Sequence, residues 1–244
     1  TISEVDAPAP LSVATQPPSC FDVHARTTRD EWDAAVRDAL ASIRSGELAK
    51  VVLARTVDVD ADAPFDRRAV LALLRAGQPG CRVYADGGFV GASPELLVQR
   101  RGARVVARPL AGTGDDPARL LASTKDAWEH RVVVVEVAEH LREACSDVEV
   151  DGPTAVRFTD VTHLATTITA RSGRESALAL ARSLHPTPAV GGSPRDAALT
   201  AIARLESFDR DHYAGPCGWV DAHGDGEFVV ALRCAALDGA RARL

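Results

Sequence analysis

Lys50 and Glu95 are the residues whose type and surroundings best suit proton transfer. Lys50 stands just before Val51-Val-Leu-Ala54, a run with the composition of a buried strand. Two readings are open: a solvated lysine at a strand end, or one in a poorly solvated cleft, where desolvation loosens its proton and fits it for a general base. Glu95 follows Ser93-Pro94 at the mouth of an apolar stretch. It is a surface glutamate or, beside apolar strands, a carboxyl that keeps its proton and suits a general acid. Asp126 and Glu129, three apart, share one face if the segment is helical. That face is either solvated or, lining a cleft, an anchor for a hard divalent cation such as magnesium, one ligand direct and one through water. Arg233 lies in Val229-Val-Ala-Leu-Arg-Cys234, where a charge calls for a partner and a bidentate carboxylate is expected. Ala111-Gly112-Thr113 offers small residues and main-chain N–H groups suited to approaching an anion. His163, between two strand candidates, is by default a satisfied structural histidine.

Two lookalikes fail. Asp58-Val-Asp-Ala-Asp62 begins like a calcium loop, but Ala63 and Ala69 stand where glycine and the closing glutamate belong. Gly191-Gly192 lacks the Gly-Lys-Ser/Thr ending of a phosphate loop.

The elements that must position these groups are mostly legible. Residues 96–100 and 104–108 form a hairpin that brings Glu95 and the 111–113 segment together. Thr28-Arg-Asp-Glu31 is a capping box, and Trp32, Val36, Leu40 and Ile43 repeat at helical spacing, so a helix is expected over about 29–45, stopped by Gly46. Strands are expected over 51–57, 82–85, 89–92, 148–158, 164–170, 213–220 and 227–237. Helices are expected over 66–76, 120–145 as one long helix, 175–184, and 193–205 with Ser193 as N-cap and Pro194 in the first turn. Asp238-Gly239 starts a last hairpin. Residues 1–27 read as a lead-in, coiled over 1–20 where prolines break any apolar period. The mixed order predicts an α+β fold: one large domain of mostly antiparallel sheets in a sandwich flanked by helices.

Composition narrows the partners. The chain has 244 residues, 46% of them hydrophobic, enough to bury a large core. A formal charge of −6 without basic runs gives no footprint for nucleic acid, and no stretch reaches membrane-spanning length. A small-molecule partner is expected. Five scattered cysteines without a C-x-x-C pair point to reduced thiols and a cytoplasmic location. The start at Thr1 and the absence of methionine are read as a missing natural N-terminus.

Taken in order, several segments resemble the chorismate-utilising enzymes, a family of isochorismate, salicylate, anthranilate and aminodeoxychorismate synthases. They are Lys50-Val-Val-Leu-Ala-Arg55, Gly91-Ala-Ser-Pro-Glu-Leu96, Arg108-Pro-Leu-Ala-Gly-Thr113, Ser123-Thr-Lys-Asp126 with Glu129-His130, and His163-Leu-Ala-Thr166. Leu184-His-Pro-Thr-Pro-Ala-Val-Gly-Gly192, Tyr213-Ala-Gly-Pro-Cys-Gly-Trp219 and Gly226-Glu-Phe-Val-Val-Ala-Leu-Arg233 follow in family order. The resemblance implies one magnesium-dependent site in which chorismate is attacked at ring C2 as its 4-hydroxyl leaves. A lysine at position 50 is similar to the water-using members, and the His-Pro-Thr-Pro and Gly-Pro-Cys-Gly-Trp segments resemble isochorismate synthases more than the salicylate-forming branch. A salicylate synthase, or a catalytically impaired chorismate-binding fragment, is the alternative.

By the same resemblance, Lys50 is the base and Glu95 the acid. Glu129 binds magnesium directly, and Asp126 holds a metal-bound water. Arg233 clamps the pyruvyl carboxylate with help from Tyr213, Gly112 and Thr113 line the ring pocket, and His163 lies near the ring hydroxyl. Family members carry a longer segment between Thr113 and Lys125, and continue past Leu244 with a further metal ligand. The domain over 28–244 is therefore expected to be truncated at both ends. Oligomeric state and downstream pathway, whether menaquinone, catecholate siderophore or salicylate, stay open.

Overall fold

The structure, a computed structural model, describes residues 17–159 and 161–244; residues 1–16 of the lead-in lie outside it. The first half of the chain runs β1 (Phe21–Ala25), α1 (Arg29–Arg44), β2 (Lys50–Val51), β3 (Val57–Ala61), α2 (Arg67–Gly77), β4 (Arg82–Asp86), β5 (Phe89–Ser93), β6 (Leu96–Arg101), β7 (Arg104–Arg108) and β8 (Leu110–Gly114). The second runs α3 (Pro117–Ala122), α4 (Thr124–Ala144), β9 (Cys145–Arg157), β10 (Thr162–Ser172), α5 (Ala177–Leu184), β11 (Gly192–Ser193), α6 (Arg195–Leu205), β12 (Pro216–Val220), β13 (Gly226–Val230), β14 (Cys234–Asp238) and β15 (Arg241–Arg243).

Two large antiparallel sheets organise the chain. One has the order β1-β3-β15-β14-β5-β4; the other has β12-β13-β6-β7-β10-β8, with β9 added against β10. The main core lies between the second sheet and helices α4 and α5: Val98, Val105 and Ile168 from the strands meet Val133, Val137, Leu141, Leu180 and Leu184. Leu141 is fully buried, and burying a side chain of that size stabilises by roughly 1.5–3 kcal/mol. His130, Val133, Val137 and Leu141 recur every three or four residues on α4, which gives that helix its buried stripe.

The chain passes between the sheets at two points, and those points run side by side. At Pro94-Glu95 it leaves β5 for β6, and over residues 231–233 it leaves β13 for β14. Ser93 Oγ donates to Val230 O at 2.6 Å, Val230 N–H donates to Glu95 O at 3.2 Å, and Ala92 N–H donates to Arg233 O at 3.1 Å. This seam is where the candidate chemistry collects.

Several local expectations meet tertiary structure and change. The lead-in contributes β1, which pairs with β3. The strand expected over 51–57 shrinks to a two-residue bridge, because only Lys50 and Val51 find ladder partners, in Ser193 and Gly192. Ser193 is thereby drawn into the bridge, and α6 takes Pro194 as its N-cap residue, with no side-chain cap. The long helix breaks at Ser123, whose extended backbone ends α3 and whose Oγ accepts from Asp126 N–H to start α4. The strand expected over 213–220 starts only at Pro216, since Asp211 and Ala214 adopt positive φ just before it. The strand expected over 227–237 is interrupted at 231–233, where Arg233 adopts φ +50. Asp58, from the rejected calcium lookalike, pairs with Arg26 and Arg243 instead.

The β2–β11 bridge sets a sharp steric demand. A Cβ on Gly192 would press on the Lys50 carbonyl and lie 2.7 Å from Ala198 Cβ and 2.9 Å from Val51 Cα, all near rigid backbone. Gly192→Ala is therefore expected to destabilise by about 1–3 kcal/mol, read from the urea midpoint. Gly173→Ala, with nothing within 4 Å, stays within about 0.5 kcal/mol of the parent. Equal midpoints for the two variants would remove the close-packing account of this bridge.

Candidate active site

Glu95 owes its environment to the seam. Its main-chain N–H donates to Ser93 Oγ at 3.2 Å, and the residue is 3% exposed. Burial pushes its carboxyl up to about 8; the Leu110 main-chain N–H and the Lys50 charge oppose that shift without cancelling it. The hairpin β6–β7 does bring Glu95 to the start of β8, as its register of Leu96 with Arg108 requires.

Lys50 enters from the β2–β11 bridge and is 7% exposed. Its Nζ donates to Pro188 O at 2.7 Å and lies 3.4 Å from Glu129 Oε1. Burial lowers its affinity for a proton; Glu129 and Glu95 resist that, and Lys125 adds to it. Neutral lysine and protonated glutamate are thus the forms that burial favours in this cleft.

Asp126 and Glu129 share one face over the first two turns of α4, as their spacing predicts. Helix α4 comes close to β8 because Gly112 has no side chain: with φ +75, a Cβ there would lie 3.1 Å from Asp126 Cβ. Lys125 Nζ lies 3.5 Å from both Asp126 Oδ1 and Glu129 Oε2, so a cationic group already sits between the two carboxylates. Among the described residues no third acidic, histidine or cysteine side chain joins them. Two carboxylates form a donor set that suits magnesium, which keeps several waters and needs few protein ligands.

His163 and Thr113 form a neighbouring group. His163 Nδ1 is 3.0 Å from Thr113 Oγ1 and 3.2 Å from Gly112 O. A carbonyl only accepts, so the second contact favours a proton on Nδ1 and a bare Nε2. Burial holds the ring neutral, and Arg233 reinforces this. Arg233 does not have the carboxylate partner expected of it. Its Nη1 donates to Gln78 Oε1 at 2.9 Å and reaches Cys81 Sγ at 3.6 Å, with the guanidinium 5.4 Å over Phe158. Among the described residues no carboxylate pairs with it, because the break at 231–233 carries it out of the ladder. Phe158 also packs against His163, which links the two groups.

Tyr213 lies in the turn before β12, its ring 5.6 Å beneath the Arg210 guanidinium. Burial raises its phenol pKa, which keeps it a hydrogen-bond donor. His130 was not singled out from sequence as a site residue, yet it is 2% exposed beside this cleft, with Nε2 2.7 Å from Thr166 Oγ1. Burial pushes its pKa down to about 4, with the Lys50 charge adding to the effect. The available signal was a histidine in phase with Val133, Val137 and Leu141.

A family model described as chorismate binding enzyme matches residues 5–244. The chain is 40% identical over 230 residues to isochorismate synthase EntC of Escherichia coli K12, covering 87% of this chain and 59% of that protein. It is 38% identical over 239 residues to isochorismate synthase DhbC of Bacillus subtilis, covering 88% and 60%. The solved structure of MenF, the menaquinone-specific isochorismate synthase from Escherichia coli, is similar with a TM-score of 0.86 at 31% identity, over 96% of this chain and 58% of that one. The chain thus spans about 60% of the length of the curated relatives it matches.

Proposed function

Because this chain belongs to the chorismate-binding enzyme family, we propose that residues 28–244 carry an isochorismate synthase site that isomerises chorismate to isochorismate. Water adds at ring C2 as the 4-hydroxyl departs from C4. The observation that carries this reading is the Lys50–Glu95 pair, two ionisable groups at 7% and 3% exposure that burial pushes toward their neutral forms. Neutral Lys50 takes a proton from the attacking water, and Glu95 gives one to the leaving hydroxyl, so atoms and charge balance over the reaction. That all three named relatives are called isochorismate synthases supports this choice within the family.

Arg233 clamps the pyruvyl carboxylate with Tyr213 assisting, a role its neutral amide and thiol neighbours leave open. The backbone at Gly112 and Thr113 lines the ring, and His163 faces the ring hydroxyl end. Glu129 would hold magnesium directly and Asp126 through water; when bound, the ion neutralises the ring carboxylate. The five free thiols fit a reducing cytoplasm.

The test is incubation of the protein carrying this chain with chorismate and magnesium, followed by chromatography. Isochorismate is expected. Salicylate formed without a partner lyase would shift the assignment to a salicylate synthase, and bound chorismate without product would make it an impaired binding protein. A second expectation concerns Lys125, whose exposed ammonium competes for the metal position. Lys125→Gln should tighten magnesium binding about two- to fivefold, the scale of an exposed ion pair, in a calorimetric titration. Weaker binding would show that Lys125 does not occupy that position.

A further inference from the structure

Lys50 is held by a two-residue bridge; past Val52, whose N–H still donates to Gly191 O at 2.8 Å, residues 53–55 have no ladder partner among the described residues. A bridge of that length does not by itself fix a side chain to within the fraction of an ångström that proton transfer needs. What secures it is a buried ion pair on the far side. Arg210 donates through Nε to Glu206 Oε2 at 2.8 Å and through Nη2 to Glu206 Oε1 at 2.5 Å; their side chains are 18% and 3% exposed. The same guanidinium donates from Nη2 to Val52 O at 2.7 Å and from Nη1 to Val190 O at 2.8 Å, while Glu206 Oε1 accepts from Ala54 N–H at 2.8 Å.

Those three main-chain atoms belong to the two segments that define the Lys50 ammonium. Val52 and Ala54 continue the chain from Lys50. Val190 lies two residues after Pro188, whose carbonyl accepts from Lys50 Nζ. A buried ion pair is weak evidence for stability, since apolar replacements often serve as well. This pair instead supplies directional bonds to three main-chain groups that an apolar pair would leave unmet.

We propose that Arg210 and Glu206 are positioning residues for Lys50, acting as one unit that fixes the base without touching substrate; this rests on the reading of Lys50 as the base. Arg210 also lies 5.6 Å over the Tyr213 ring, a contact to which the proposal assigns no positioning role.

The test compares Arg210→Ala and Glu206→Gln with the parent in the full protein with magnesium. For both variants kcat is expected to fall about 10²-fold, the cost of a remote misplacement near 1 Å, with the Kd for chorismate within about twofold. Millimolar guanidinium should restore part of the kcat of Arg210→Ala and none of that of Lys50→Ala. Native-state amide exchange should accelerate at Val52 and Ala54 while the α4 amides keep their protection. If kcat and melting temperature fall and Kd rises together without rescue, the pair is merely structural and the proposal is overturned. If the parent makes no isochorismate, the function reading fails, yet exchange still decides whether the pair holds the chain after Lys50: unchanged rates at Val52 and Ala54 overturn it.

Discussion

Lys50→Ala lowers kcat by on the order of 10³-fold while the chorismate Kd moves less than about threefold. The split follows from where charge resides. The substrate carboxylates are assigned to Arg233 and to the metal position at Glu129 and Asp126, whereas Lys50 Nζ spends its contacts on Pro188 O and Glu129. Removing the amine would delete the proposed base and leave the proposed carboxylate clamp. Lys50→Met retains the apolar stem in the same buried space and controls for packing; its kcat should fall as far as that of the alanine variant. Chromatographic product assays give kcat, and calorimetry gives Kd. Binding lost in proportion to turnover would remove the base assignment.

Glu95→Gln acts on the other proton and has a second, independent signature. Its kcat should drop by about 10²–10⁴-fold, the range for a lost general acid, because the amide cannot protonate the leaving hydroxyl. The stability effect has a definite sign. In the folded protein the carboxyl titrates at about 8 against its ordinary 4.5, so the native state keeps a proton that the unfolded chain releases. The stability this group contributes is full below pH 4.5 and is lost as pH rises through the window to about 8. Glutamine has no such dependence. At pH 9 the variant should therefore melt above the parent, by at least about 3 °C, with the difference closing at pH 5. Parallel melting curves at both pH values would mean that Glu95 is not buried as described.

Those two residues were visible in the sequence because their surroundings are local: an apolar run after Lys50, and a proline and a strand around Glu95. Helix α1 was legible for the same reason, since Thr28 and Glu31 form both halves of the capping box. The pairing of Asp126 with Glu129 follows from helical spacing alone. The carboxylate partner expected for Arg233 is not found among the described residues because an apolar run reads as continuous strand, whereas Arg233 adopts a positive φ at the crossing between sheets. Residues 52–56 carry strand composition, yet Val52 O and Ala54 N–H are met by Arg210 and Glu206 from 152 to 158 residues away. No periodicity encodes that. A trace was present: a glutamate and an arginine four apart, just past the end of α6, flanking Phe208.

The position of β15 in the first sheet bears on synthesis. This strand, residues 241–243, lies between β3 and β14, and its Leu244 neighbour exchanges main-chain bonds with Val57. Strands β1 and β3 therefore cannot join β14, β5 and β4 until residues some 180 positions later have left the ribosome. Until then β3 waits with an open edge that only β15 closes, and the nascent chain relies on the β6–β7 hairpin and helix α4 for its earliest order. The seam that holds Glu95 and Arg233 also joins segments distant in sequence and is expected to form late. Refolding should recover helical signal well before it recovers the ability to bind chorismate.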